Sequence, residues 1–392
     1  MENRKKQTIM QILPALESGG VERGTVDIAK ALKKADFEPI VVSKGGVLVY
    51  QLREANITHI SLPVHSKNPL TIYLNVKKLI KIIDEYKVDL IHVRSRAPMC
   101  SAYFACKKTN TKLVSTVHGT YSLNFLKWKV FPLKKAYNAL MLKADAIIAV
   151  SNFIKNYLIE NYQQKNQVFP LEKITVIQRG ADLKYFDSEK VSKNRIIDLN
   201  KKWNLPDDKK IILMPARFTS WKGHEFLLEA LTKVKHDFFC LMVGSDHGHK
   251  KFRKKIEQKI IKENLAGKVR IVGLCKDMPT AYAISNLVVC PSVRPEAFGR
   301  IAIEAQAANR VIIATKLGGA LDTVIDEKTG FLVEVGDTEK FAQLIDKVLD
   351  MSKAELDVIG EAGQKNVTEN FSNEKMYNAT IDLYRKVLAS NF

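Results

Sequence analysis

Short runs of Val, Ile and Leu alternate with longer stretches of helical period along the first half of this 392-residue chain. Thr8–Leu13, Pro39–Ser43, Thr58–Leu62, Leu90–Val93, Lys112–Val117, Ala146–Val150 and Ile174–Ile177 read as strands, each apolar and bounded by polar residues. Between them, Val21–Lys34, Ile72–Tyr86 and Asn152–Asn161 carry apolar residues at helical spacing. This alternation predicts βαβ units, and hence a parallel sheet with helices on both faces. A polar stretch from Asp182 to Asp208, rich in Lys, Asn and Asp, then breaks the pattern and reads as a linker. The pattern restarts with strands Ile211–Pro215, Phe238–Val243, Val269–Val272, Leu287–Cys290, Val311–Ala314 and Gly330–Val333. Helices Glu225–Lys235, Lys250–Leu265, Ile301–Ala308 and Glu339–Leu349 separate them. Two doubly wound α/β domains are expected, residues 1–185 and 209–370, with 186–208 joining them and 371–392 as a C-terminal segment. That segment, Asn373–Leu388, is an amphipathic helix presenting Met376, Tyr377, Ile381, Leu383, Tyr384 and Val387. Ligands of such sheets bind beyond the carboxyl ends of the strands, so two domains facing each other would enclose a cleft.

Composition narrows the class. With 46% hydrophobic and 27% charged residues the chain is that of an ordinary globular protein. No apolar run approaches the roughly 18 residues needed to cross a bilayer. The start, MENRKKQ, leads straight into a strand without a separate apolar segment or cleavage site, so a cytoplasmic protein is expected. Cys100, Cys106, Cys240, Cys275 and Cys290 are odd in number and mostly embedded in apolar runs, which points to reduced core residues. They lack metal-ligand spacing, and His247 with His249 lacks a third ligand, so no metal site is expected. Charge is uneven: residues 1–190 hold 30 Lys and Arg against 16 Asp and Glu, net +14, and the remainder 32 against 26, net +6. A basic first half points to an anionic partner such as a membrane surface, a phosphorylated glycolipid or nucleic acid, or else to a Lys-rich composition alone. No aromatic and basic module of a known nucleic-acid fold is present, so nucleic acid is not expected.

The most informative stretch is RPEAFGRIAIEA, Arg294 to Ala305. Glu296 lies on a strand-to-helix loop and Glu304 about two turns into the helix that follows Phe298-Gly299. Backbone N–H groups at a helix start suit anionic oxygens. A carboxylate can accept both hydroxyls of a vicinal diol. Glu304 is flanked by Ile and Ala, where a carboxylate is costly unless it binds something. Taken alone, the pair also describes a solvated loop Glu and a helix-surface Glu.

Other motifs occur in order around it. Ser18-Gly19-Gly20-Val21-Glu22 follows the first strand, and glycine there lets a diphosphate approach the backbone closely. It is not the dinucleotide fingerprint, because the next glycine is Gly24. Thr116-Val117-His118-Gly119, Ala149-Val150-Ser151 and Arg179-Gly180-Ala181-Asp182 follow, then Arg217 and Lys222 in PARFTSWKGH, Gly318-Gly319, and Thr329 to Val333. With the Glu-x7-Glu spacing, this series resembles the retaining glycosyltransferases of family four, which have the GT-B fold, over essentially the whole chain. One departure is Ala216, where the family has glycine before the arginine.

The resemblance implies a GT-B architecture whose C-terminal helix crosses back to the first domain. The second domain would bind a nucleotide-diphosphate sugar and the first a glycan or lipid-linked acceptor. Arg217 and Lys222 would hold the diphosphate, stabilising the leaving group without a metal or other cofactor. Glu296 would act on the transferred sugar and Glu304 on the ribose, with Gly19, Gly20, Ala297, Phe298, Gly299 and Arg300 lining the donor. His118 would lie over the transferred sugar. No Asp-x-Asp motif occurs, which leaves the metal-dependent single-domain architecture unsupported. Arg94 and Arg96, in RSRAP after a strand, are candidates for an anionic group of the acceptor. In the segment Tyr121–Lys143, Phe125, Trp128 and Phe131 alternate with lysines, which suits a lipid headgroup interface or, equally, an amphipathic core helix. Together these features lean towards envelope glycan work such as lipopolysaccharide synthesis, peripheral on the inner face of the cytoplasmic membrane. A soluble sucrose- or trehalose-type synthase and a non-catalytic sugar-nucleotide-binding protein are the rival readings.

Overall fold

The computed structural model describes residues 6–17, 19–120, 135, 137–163, 171–246 and 248–390. Ser18, Phe125, Trp128, Phe131 and His247 lie outside them. The chain divides into two compact units, Met1–Gln178 with Met376–Phe392, and Arg179–Lys375.

The first unit is a seven-stranded sheet. Its strands are β1 (Thr8–Ile12), β2 (Glu38–Ser43), β3 (Thr58–Ser61), β4 (Val88–Val93), β5 (Lys112–Val117), β6 (Ala146–Ala149) and β7 (Ile174–Val176). All pairs are parallel, in the order β3-β2-β1-β4-β5-β6-β7. The order reverses between β1 and β4, which makes their carboxyl ends the switch point where such sheets bind ligands. The crossovers carry α1 (Gly20–Lys34), α2 (Val49–Glu54), α3 (Pro69–Tyr86), α4 (Arg96–Thr109) and α5 (Asn152–Tyr162). Sequence chemistry sets their ends: Asn68 Oδ1 accepts from the N–H groups of Leu70 and Thr71 ahead of α3, and Lys87 closes that helix in the left-handed conformation.

The second unit is a six-stranded parallel sheet, β8 (Lys210–Pro215), β9 (Phe238–Val243), β10 (Val269–Val272), β11 (Leu287–Cys290), β12 (Ile312–Thr315) and β13 (Phe331–Val333). Its order is β10-β9-β8-β11-β12-β13, with the switch point between β8 and β11. Its helices are α6 (Leu183–Phe186), α7 (Lys193–Trp203), α8 (His224–Leu231), α9 (Lys250–Lys262), α10 (Met278–Ala283), α11 (Arg300–Ala307), α12 (Ala320–Thr323), α13 (Thr338–Asp350) and α14 (Lys353–Asn370). Two doubly wound α/β units are what the alternation of patterns predicts.

The C-terminal helix α15 (Asn373–Ala389) belongs from Met376 onward to the first unit. Ile381, Leu383, Tyr384 and Val387 pack in one core with Ile9, Leu90, Val114 and Ile148, so the chain does return to its N-terminal unit. Tyr384 Oη meets His92 Nδ1 at 2.5 Å, and His92 Nε2 meets Thr116 Oγ1 at 2.6 Å. Burial, with the Arg94 charge behind it, holds His92 neutral, well below its usual range.

One expectation is corrected. The unit boundary falls at Gln178 and Arg179, and residues 186–208 are not a bare linker. Ser192 caps α7, and Leu199 and Trp203 are buried in the second unit. The polar composition hid this helix because it buries only a narrow stripe.

Candidate active site

The second unit assembles its site from the loops after β8 and β11, on either side of its switch point. Beyond β8, Phe218 is fully buried and its N–H donates to the Ser245 carbonyl at 3.0 Å. That anchors the loop, which then makes one tight turn, Ser220–Lys222, before α8. Gly223 caps α8 with φ +78°, and a Cβ there would stand 1.7 Å from the Pro291 carbonyl oxygen. Only glycine fits both conditions. The close approach brings the two loops together: Val293 N–H donates to the Trp221 carbonyl at 2.9 Å. Ala216, which stands where the family has glycine, is absent from the positive-φ residues, so its backbone accommodates a side chain.

The approach delivers Lys222 to Glu296. Lys222 Nζ donates to Glu296 Oε1 at 2.6 Å, with side-chain exposures of 9% and 13%, and lies 4.5 Å from the centre of the Trp221 ring. Ser292 Oγ donates to the same oxygen at 2.5 Å, and Cys290 Sγ approaches it at 3.3 Å. These donors converge on Oε1, and Oε2 has no donor among the described residues. Burial alone would raise the Glu296 carboxyl, but the Lys222 charge and these hydrogen bonds outweigh it and hold the group below its usual range. The Cys290 thiol is driven the other way, up to about 12, by burial and then by the Glu296 charge. The site therefore presents a buried, ionised carboxylate pinned on one oxygen.

Behind Glu296, the chain passes against Gly318-Gly319. Gly319 N–H donates to the Glu296 carbonyl at 2.8 Å, and a Cβ on Gly319 would lie 2.3 Å from the Phe298 carbonyl carbon. Phe298 is buried edge-on against Phe371 at 5.9 Å, which fixes the loop between Ala297 and Gly299. Gly299, at φ +82°, caps α11 without a side-chain hydrogen bond. Arg300 opens α11 and its Nη2 donates to Glu304 Oε1 at 2.7 Å, while Tyr282 Oη donates to Glu304 Oε2 at 3.0 Å. Glu304 is therefore held by protein partners, and each of its oxygens retains a further lone pair. Arg217 is exposed and forms no ion pair among the described residues.

The first unit places its candidates at the carboxyl ends of neighbouring strands. Gly19 caps α1 after β1, and Gly20 is the first residue of that helix. The Glu22 carboxylate folds over the loop, its Oε2 2.2 Å from where a Cβ on Gly19 would be. Arg94, after β4, is 6% exposed, and its Nη1 donates to Gln11 Oε1 at 3.2 Å. Its guanidinium lies beside Gly24 in α1, so the acceptor candidate is a buried residue. Arg96 donates to Asn138 Oδ1 at 2.9 Å, and His118 is half-buried after β5.

Of the residues the sequence singles out, the structure joins Lys222 to Glu296 and sets Glu304 against Arg300; Ser292, Cys290, Trp221 and Tyr282, which complete these contacts, are not among the expected site residues. Ser292 lies four residues before Glu296 and was findable as a short-range donor. Tyr282, on α10, reaches Glu304 only through the fold.

A family model described as Glycosyl transferases group 1 matches residues 196–366, and one described as Glycosyltransferase Family 4 matches residues 18–185. The chain is 26% identical over 392 residues to the capsular polysaccharide biosynthesis glycosyltransferase CapM of Staphylococcus aureus, covering 98% of each chain. It is 42% identical to a glycosyltransferase from Rickettsia africae of known structure, with a TM-score of 0.89 and coverage of 98% of this chain and 100% of that one. Anabaena HepE, solved in complex with UDP and glucose, shares the fold at 21% identity with a TM-score of 0.81, covering 97% of this chain and 100% of its own. The chain belongs to the family 4 glycosyltransferases and has the GT-B fold.

Proposed function

We propose that this glycosyltransferase works with retention, moving a sugar from a nucleotide-diphosphate sugar to a glycan or lipid-linked acceptor in envelope glycan synthesis, without a metal ion. The observation that carries the reading is the Lys222–Glu296 pair at the switch point of the second unit, buried, ionised and pinned on one carboxylate oxygen. The HepE complex with UDP and glucose supports the donor class, and the capsular polysaccharide relative supports the envelope acceptor.

In this reading Lys222 and Arg217 stabilise the charge that grows on the diphosphate as the glycosidic bond breaks. Lys222 acts as a point charge and Arg217 as a planar fork that closes on the phosphate oxygens when the donor arrives. Oε2 of Glu296 accepts hydroxyls of the transferred sugar, orienting its anomeric carbon. Glu304, steadied by Tyr282 and Arg300, accepts the ribose diol. The acceptor oxygen attacks the face from which the diphosphate departs: its bond to the anomeric carbon forms as the carbon–phosphate oxygen bond breaks, and its proton passes to a phosphate oxygen. His118 covers the sugar, and Arg96 takes an anionic group of the acceptor. The protein works at the inner face of the cytoplasmic membrane.

A thermal-shift screen with UDP, GDP and ADP and their sugars, in excess chelator, tests the donor part. A ligand at 100 times its dissociation constant should add about 2.7 kcal/mol of stability. A shift that appears only when a divalent ion is added back would contradict the metal-free reading.

A further inference from the structure

We infer that Ser292, with Cys290 beside it, is a positioning residue that steadies the Glu296 carboxylate while the donor's diphosphate draws on Lys222; the inference deepens the reaction proposed above and rests on it. Lys222 Nζ stands 2.6 Å from Glu296 Oε1, and in that reaction the same ammonium meets the charge growing on the leaving phosphate. One lysine shared between two anions neutralises each less fully. Glu296 is mostly buried, so weakening its counter-charge favours the neutral acid. A protonated carboxyl turns one acceptor oxygen into a donor, which would loosen the grip on sugar hydroxyls as the glycosidic bond breaks.

Ser292 and Cys290 meet this demand because they are uncharged. The Ser292 hydroxyl donates to Oε1 at 2.5 Å and Cys290 Sγ lies 3.3 Å from it, the same oxygen that Lys222 holds. A phosphate that draws an ammonium towards it has a far weaker hold on a neutral hydroxyl. Ser292 is also fixed in place: it is 3% exposed, and Thr315 Oγ1 donates to its carbonyl at 2.6 Å. On its two sides the Pro291 carbonyl packs against Gly223, and the Val293 N–H donates to the Trp221 carbonyl. The loop contact that places Lys222 therefore places Ser292 as well. Burial keeps the Cys290 thiol protonated, up to about 12, so it remains a weak second donor. Among the described residues, Lys222 and Cys290 are the charged and titratable groups that act on this carboxylate. On the adjoining loops and helix, Arg300 is paired with Glu304 and Lys316 with Glu334, while Arg217 and Arg294 are exposed.

Urea unfolding and donor turnover of the full chain across pH test the inference. The urea midpoint of Ser292→Ala should fall below that of the wild type at about pH 7, and the deficit should shrink towards about pH 4. Glu296 sits below its usual carboxyl range in the fold, and losing a donor raises it, so the two proteins differ most while the carboxylate is ionised. A deficit that stays constant across this window would make Ser292 a packing residue and overturn the inference. In UDP-glucose turnover at about pH 6, Ser292→Ala should lose about tenfold or more in kcat, the effect of one charged hydrogen bond, and keep its affinity for UDP. Its acid limb should move up by about one pH unit, and the rate should recover as pH rises. Ser292→Thr, which keeps the hydroxyl, should keep the wild-type limb. An acid limb unmoved in Ser292→Ala, or a UDP affinity that falls as far as kcat, would also overturn the inference. A wild type that leaves UDP-glucose untouched, with the pH-dependent urea deficit present, would count only against the function proposed above.

Discussion

The two units begin alike, with a first strand that turns over glycine into a helix, yet the two glycines answer to different demands. Gly223 is fixed by the fold: its φ is +78°, and the Pro291 carbonyl occupies the space a side chain would need. Gly19 sits at φ −78°, a conformation open to any residue, and only the movable end of Glu22 crowds it. The same contrast runs through the buried polar groups. In the second unit they converge on one carboxylate oxygen, where Lys222, Ser292 and Cys290 meet. In the first they pair off within the core, Arg94 with Gln11 and His92 with Tyr384 and Thr116. The second unit thus gathers its buried polar groups at one point, where the proposed reaction puts the donor, and the first uses them to hold its own C-terminal helix. In the proposed reaction, a glycine that the fold does not require, at a helix start beyond a switch strand, leaves room for a ligand.

The largest effect that could break this contrast concerns the ion pair. Lys222→Ala should lower sugar transfer at least 100-fold, as removal of a charge-stabilising group does. It should also destabilise the second unit by about 3 kcal/mol, because a mostly buried Glu296 loses its counter-charge. Pairing it with Glu296→Gln should restore much of the stability and none of the activity. Steady-state rates and urea midpoints check both parts.

The glycines come next. Gly223→Ala should cost more than about 3 kcal/mol or prevent folding of the second unit, since left-handed strain adds to a backbone clash. Gly19→Ala should change stability by less than about 1 kcal/mol while weakening donor or acceptor binding. Equal loss of stability in both variants would erase the distinction drawn between the two helix starts.

Acid should act through buried histidines. His224 is fully buried between Phe218 and Phe252, and burial, helped by the Lys222 charge and opposed by the Thr219 backbone, lowers it to about 4. Its folded value is below the unfolded value of 6.5, so the unfolded chain takes up the proton first. Stability should be complete above about pH 6.5 and fall by about 3 kcal/mol as pH drops to about 4. His92, lowered in the same direction, adds to that loss from the first unit. Urea titrations across this window should show a shallower loss in His224→Phe.

Smaller again is the division between the two glutamates. Glu304→Ala should weaken binding of the free nucleoside diphosphate by about 1.5–3 kcal/mol, whereas Glu296→Ala should spare it and cripple transfer. Calorimetric titration of both variants checks this, and equal weakening would show the roles are wrongly divided.

The strands were readable because parallel strands buried on both faces appear as unbroken apolar runs, and Phe238–Val243 and Lys112–Val117 fall where the sequence puts them. Helices with narrow buried stripes were not. Lys193–Trp203 buries only Leu199 and Trp203 and so reads as solvated. Lys353–Asn370 is also not among the expected helices, although Ser352 and Glu355 form a capping box that the spacing displays. In the site, Lys222 and Glu296 were readable as motif residues, but their meeting was not, since it depends on Gly223 passing under Pro291. The burial of Arg94 is likewise invisible in the sequence, since it comes from packing beside Gln11 and Gly24 across the fold.

In the proposed reaction Lys222, held by Glu296, receives the donor's diphosphate without a metal ion. Calorimetric titration of UDP into the wild type and into Lys222→Ala, with and without chelator, tests it most directly. Chelator should leave wild-type affinity unchanged, and Lys222→Ala should lose at least tenfold, the cost of about 1.5 kcal/mol or more for one charged hydrogen bond. Equal affinity in the two proteins, or wild-type binding that chelator abolishes, would contradict it.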